Sequence, residues 1–205
     1  GAAKAAADPE AQAQQLVDRI AALRNSGLFA YVEPDYVVQT SLTPNDSAFV
    51  NGNLWGLRNN GQLGGRAGAD INAVRAWDIT TGSTNVIVAV IDTGVRYTHV
   101  DLAAQMWRNP GEIPGNQIDD DNNGYVDDVF GINAIDLVPA PGDPMDDNGH
   151  GTHVAGTIGA AANNGQPHVG VAWRVQLMAC KFLAASGGGL TSDAFECIGY
   201  AARNR

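Results

Sequence analysis

Val86-Ile87-Val88-Ala89-Val90-Ile91, followed at once by Asp92-Thr93-Gly94, decides the reading of the fold. Six consecutive apolar residues, mostly β-branched, form the pattern of a strand buried on both faces, as in a parallel sheet. Downstream, residues 109–149 are irregular and rich in Asp, Asn, Gly and Pro, and a loop of that length is uncommon unless it is functional. Residues 150–162 read as a helix of small residues, and 175–183 as a second buried strand. Residues 186–189 form a glycine-rich connector. Residues 191–203 read as a helix with Phe195, Ile198 and Ala202 on one side. Upstream, 70–77 reads as a short helix presenting Val74 and Trp77. Strands alternating with helices predict an α/β parallel sheet with helices on both faces.

The N-terminal part reads differently. Residues 8–27 form an amphipathic helix with Leu16, Val17, Ile20 and Leu23 on its apolar face. Asp8 suits its cap, Pro9 its first turn and Gly27 its end. Residues 28–39 read as extended, and the polar, turn-rich residues 40–53 mark a boundary. The spacing thus divides the chain into 1–41 and 42–205, a small α+β segment ahead of the main sheet.

The 205 residues carry 12 Lys+Arg against 22 Asp+Glu, a net charge of −10, with 44% hydrophobic residues. That composition fits a folded protein and argues against nucleic acid as a partner, which needs a basic face. No apolar run of ~20 residues predicts a transmembrane helix, so no membrane partner is expected. No basic, then apolar, leader opens the sequence. Ten of the acids fall in residues 112–147, which hold no Lys or Arg; the remainder is balanced at twelve against twelve. Cys180 and Cys197 read as two buried small hydrophobes, with a single disulfide open as the alternative.

Asp92 follows the buried strand at the carboxyl end, where open α/β sheets form their ligand crevice. A shielded carboxylate there can orient a histidine; a turn cap is the simpler alternative. His150, in Asn148-Gly149-His150-Gly151-Thr152-His153, lies where a loop enters a helix and can act as general base. A metal pair with His153 is a further alternative, although zinc helices commonly use i, i+4 with an intervening Glu; His153 is read as structural. In the acidic stretch, Asp119-x-Asp121-x-Asn123-Gly124 sets alternate oxygen ligands around a turn, a pattern suited to Ca²⁺. Tyr125 follows in it. The closing Glu of an EF-hand loop is replaced by Phe130, so Asp127 or Asp128 is expected to substitute. Asp136, Asp143 and Asp146 form another acidic group near His150.

VAVIDTGV (88–95) and HGTHVAGTIGA (150–160), in that order, resemble the segments around the aspartate and histidine of subtilisin-like serine proteases, the subtilase family. The resemblance implies a subtilisin-like α/β fold, incomplete in these residues, and a secreted serine endopeptidase acting on protein or peptide substrates. It implies that Asp92 is the orienting acid and His150 the general base. YVEPDYVV (31–38) looks like the end of the family's inhibitory propeptide, and Asn45-Asp46 with Trp55-Gly56-Leu57 like the start of the mature enzyme. Ser186, Gly187, Gly188 and Gly189 match the family's edge that pairs with extended substrate, a strand-addition mode; the propeptide tail near 38–41 is expected against the same edge. Asp101 and the Asn164 side chain match a family calcium site, with the carbonyls of Ala162, Gln166 and His168, and with Asp46 joining. The family's Gly-Thr-Ser-Met-Ala-type nucleophile segment and its oxyanion Asn do not occur here. Ser186 and Ser192 sit in no such motif. The chain alone is therefore expected to be inactive, with the C-terminal remainder of the catalytic domain and its own propeptide as partners. Two further readings stand beside this one: a non-catalytic calcium-binding or inhibitory module, and a metal hydrolase using His150, His153 and nearby Asp.

Overall fold

The structure, a computed structural model, describes residues 9–34, 42–135 and 142–204. The chain divides into two units, Gly1–Thr40 and Ser41–Arg205.

In the first unit, helix α1 (Pro9–Asn25) carries Arg24 in its last turn, where a cation suits the helix dipole. Ser26 Oγ donates to Leu23 O, and Gly27 takes φ +70°, the left-handed geometry of a helix end. Arg24 Nε donates to Val32 O at 2.9 Å, holding the chain after the turn. The expected apolar face exists in sequence, yet Leu16 and Val17 are 50% and 58% exposed. Residues 28–34 form no strand. The expected Asp8 cap and residues 35–41 lie outside the described residues.

The second unit begins packing almost at once. Helix α2 (Ser47–Val50) buries Ala48 and Phe49, so the turn-rich stretch after residue 42 is part of this unit's core. Helix α3 (Ala73–Trp77) starts later than expected, because Asp70 accepts the Asn72 N–H in a local turn. Phe49, Leu57, Ala73, Trp77 and Val169 form one apolar cluster, and Trp77 Nε1 donates to Val171 O.

Strand β1 (Gly82–Asp92) is followed by the long loop, which contains a strand the sequence reading missed, β2 (Gly131–Asn133). Helix α4 (His150–Gly159), β3 (Arg174–Lys181) and α5 (Thr191–Arg203) complete the unit. Helix α4 stops three residues short of the expected end, where Ala160 leaves the helical region with ψ 133°.

The sheet is parallel in the order β1-β3-β2, with Asp92 and Asn133 both in register with Lys181. Side chains alternate across it. Val88, Val90, Val175, Leu177 and Ala179 pack with Ala155 of α4; Ile87, Ala89, Ile91, Met178 and Cys180 pack with Cys197 and Tyr200 of α5. Helices therefore cover both faces. β1 departs from the expectation of full burial: Val86 is 52% exposed and only Val90 of its apolar run is fully buried. It is an edge strand among the described strands, so one side lacks a neighbour. The face of α5 is also reversed. Phe195 and Ile198 are 66% and 53% exposed, while Asp193, Cys197 and Tyr200 are buried.

Candidate active site and acidic loops

β1 ends on Asp92 and α4 begins on His150, and the sheet brings the two together. His150 Nδ1 lies 2.7 Å from Asp92 Oδ1. The same oxygen accepts the Thr93 N–H at 2.7 Å. An ionised carboxylate only accepts, so the pairing places the imidazole proton on Nδ1 and leaves Nε2 as the acceptor. The Asp92 side chain is 13% exposed and that of His150 65%: the carboxylate is shielded, the imidazole open to the surface.

The helix start is fixed by contacts that the sequence reading did not assign. Gly151 lets α4 meet the loop after β1; a Cβ there would lie 2.1 Å from Gly94 O and 3.1 Å from Asp92 Cβ. The buried Thr93 hydroxyl accepts from Gly151 N and donates to Asp146. Asp146 further accepts from the backbone N–H groups of Asn148, Gly149 and Thr152, and from the Thr152 hydroxyl. Burial alone would raise its pKa, but the bonds from Gly149, Thr152 and Asn148 outweigh that and hold the carboxyl well below the usual carboxylate range. Asp146 thus organises the entry to α4 and is not free for the acidic group near His150. Asp143 accepts from Met145 N, and Asp136 lies outside the described residues. His153 is exposed on α4.

Ser186, Gly187, Gly188 and Gly189 form an exposed turn between β3 and α5. Gly187 N donates to Ala184 O, and Ala184 N to Gly188 O. Asn148 Nδ2 donates to Ala185 O at 2.8 Å, tying the loop before His150 to this segment.

The acidic loop brings in a third carboxylate from upstream of the motif. Carboxylate oxygens of Asp119 and Asp121 lie within 4.8 Å of one another and of Glu112, upstream of the motif. Glu112 also accepts from the N–H groups of Asp120, Asp121 and Asp127. Burial raises its pKa, and the negative charges of Asp128 and Asp121 act in the same direction. Asp127 turns away and accepts from Gly115 N and Gln117 N. Asp128 is fully buried, accepting from Asn109, Asn123 and the Tyr200 hydroxyl. Burial raises its pKa despite these donors. Asp127 thus braces a turn, and Asp128 anchors the loop to α5. Asn123 Oδ1 accepts from Tyr125 N, and the Tyr125 hydroxyl donates to Glu196, a second link to α5. Glu112 was invisible to the motif because it precedes the repeat by seven residues. Its only sequence signal is that it opens the acid-rich stretch.

The second set of expected ligands is partly assembled. The buried Asp46 carboxylate accepts from Asn163 N at 2.9 Å, and Asn164 Nδ2 donates to the buried Asp101 at 2.9 Å. Asn164 Oδ1, the oxygen a cation would use, accepts from Gln166 N. Ala162, Gln166 and His168 lie on this same loop, which is pinned by Pro167 O accepting from Ala48 N. Cys180 and Cys197 are free and fully buried. The Cys180 thiol is pushed up by its contact with Cys197 and by burial.

The chain belongs to the subtilase family, whose sequence model matches residues 83–205, from β1 through α5. Among curated relatives, subtilisin-like protease 1 of Plasmodium vivax is 46% identical over 114 residues, covering 55% of this chain and 18% of that protein. The thermophilic serine proteinase of Bacillus sp. (strain AK1) is 34% identical over 183 residues, 89% of this chain and 36% of that protein. A solved structure, of the Aeromonas sobria serine protease in complex with its chaperone, matches with a TM-score of 0.50 and 30% identity over 71% of this chain and 21% of that one. The chain thus spans roughly a fifth to a third of these relatives. No helix among the described residues is long and apolar enough to cross a membrane.

Proposed function

We propose that this chain is the N-terminal portion of a secreted, calcium-stabilised subtilisin-like endopeptidase, with 1–41 the C-terminal part of an inhibitory propeptide and 42–205 the first part of the catalytic domain. The observation that carries this reading is the 2.7 Å contact between His150 Nδ1 and Asp92 Oδ1, in a chain of the subtilase family.

In this reading a serine supplied from outside these residues attacks the peptide carbonyl. His150 Nε2 takes its proton and later returns it to the leaving amine. Asp92 holds the tautomer and stabilises the imidazolium that forms. The turn at 186–189 is the start of the edge that pairs with substrate. Without the serine and the oxyanion Asn, the chain by itself turns over no substrate.

Calcium fits the acidic loop by the chemistry of the donors: three carboxylates offering hard oxygens in one place, one of them buried, as an oxygen-seeking dication requires. Glu112, Asp119 and Asp121 would hold it. Asp46, Asp101 and Asn164 are the candidates for a second ion. A bound ion supplies charge neutralisation and cross-links the loop; it takes no part in the proton transfers.

The test is His150→Ala in the full-length protease. Turnover is expected to fall by a factor on the order of 10⁶, and near-wild-type activity would sink the assignment. The 205-residue chain alone is expected to take no label from a fluorophosphonate serine probe.

A further inference from the structure

Lys181, the last residue of β3, is 5% exposed. Burying an ammonium group is costly unless each of its donors is matched. Here all three are: Nζ donates to Thr93 O at 2.7 Å, to Asp147 Oδ1 at 2.7 Å and to Leu183 O at 2.9 Å.

The acceptors come from three separate segments. Thr93 directly follows Asp92. Asp147 lies three residues before His150. Leu183 begins the stretch that leads to Ser186 and Gly187. Strand register places Lys181 directly opposite Asp92, and alternation from Ala179, which packs towards α4, puts its side chain on the His150 side of the sheet. Two backbone ties accompany it: Phe182 N and Leu183 N both donate to Asp92 O, at 2.9 and 3.2 Å.

We propose that Lys181 is a positioning residue for the Asp92–His150 pair, its ammonium group fixing the segment after the acid and the segment before the base at one point. The proposal rests on the reading of these two residues as orienting acid and general base. A buried lysine is dispensable for holding apolar layers together, since a hydrophobic residue of similar volume does so at lower desolvation cost. What the ammonium adds is direction: three bonds that set two loops relative to each other. A displacement of the base by about 1 Å is enough to cost about 100-fold in rate.

The experiment uses the full-length protease. Lys181→Met keeps the stem and removes the donors. The expected result is a fall in kcat of about 10- to 100-fold, with KM changed far less, and a parallel fall in the rate of fluorophosphonate labelling. Asp147→Asn, at a half-exposed position, removes only the charged acceptor and decides the matter should Lys181→Met fail to fold. It is expected to lower kcat by a smaller factor at unchanged melting temperature. His150→Ala runs in the same assay. If that variant is dead while the Lys181 variant, or its Asp147 substitute, keeps wild-type kcat and labelling, Lys181 is only structural and the proposal falls. A rise in KM alone also overturns it. If His150→Ala retains turnover, the acid–base reading and the proposal fall together.

Discussion

The Thr93 hydroxyl donates to Asp146 at 2.9 Å across 53 residues of sequence, while accepting from the N–H of Gly151 in the first turn of α4. One buried hydroxyl thereby joins the residue after Asp92, the loop before His150 and the helix that carries His150.

Asp146→Asn is expected to destabilise the protein by about 1–3 kcal/mol at neutral pH, since a carboxylate accepting several bonds loses its charge. The folded-state pKa is lowered, so the stabilisation is fully present above the ordinary value of 3.8 and is lost as pH falls below it. Urea melts at pH ~7 and pH ~3 should show the gap between wild type and variant narrowing in acid. An equal gap at both would show that the charge contributes nothing.

Gly151→Ala tests the close approach of α4 to β1. The added Cβ would meet backbone, Gly94 O, at 2.1 Å, which no side-chain rotation relieves. The helix start must shift, with a cost of about 1–3 kcal/mol and loss of the Asp92–His150 contact. A thermal melt reads the first. The second appears in the histidine Nδ1 proton resonance, expected to vanish from the far-downfield region.

Calcium is expected to raise the melting temperature and EDTA to lower it. An ion present at 100 times its Kd adds about 2.7 kcal/mol. Glu112→Gln should abolish most of this difference. Asp127→Asn should lower stability equally with and without calcium, because its carboxylate serves the Gly115 and Gln117 N–H groups. Calcium titrations followed by calorimetry on both variants separate the two roles; a calcium response lost in Asp127→Asn and retained in Glu112→Gln would reverse them.

Tyr200→Phe removes a hydroxyl that donates to the buried Asp128. Burial and the Asp128 carboxylate both push the Tyr200 pKa upward, so the donor stays protonated throughout the working range. The expected loss is about 1–3 kcal/mol by chemical denaturation. A neutral substitution would mean that Asn109 and Asn123 satisfy Asp128 unaided.

Much of the architecture was legible locally. The 86–91 run specified a strand, and Gly149-His150-Gly151 ahead of small residues specified a helix start at a loop; the structure has both. The bounds of α5 agree to the residue, yet its buried face does not. Periodicity ranks apolar residues, and Phe195 and Ile198 outrank Cys197 and Tyr200. The packed structure prefers Tyr200 inward because its hydroxyl meets Asp128, an acceptor 72 residues away that the sequence could not place. β2 was missed because three residues are too few to show alternation.

The sequence by itself determined most of the element types, the family resemblance and the identity of the Asp92 and His150 candidates, because each depends on residues close together in the chain. Only the tertiary structure decided which distant groups meet. Thr93 bonded to Asp146 and Lys181 joining three loops are two such meetings, at the end of the sheet where parallel register sets Asp92, Asn133 and Lys181 side by side. Hydrogen bonds and ion pairs are decided by separations of a few ångströms in space, and no local pattern encodes a separation across 50 or more residues.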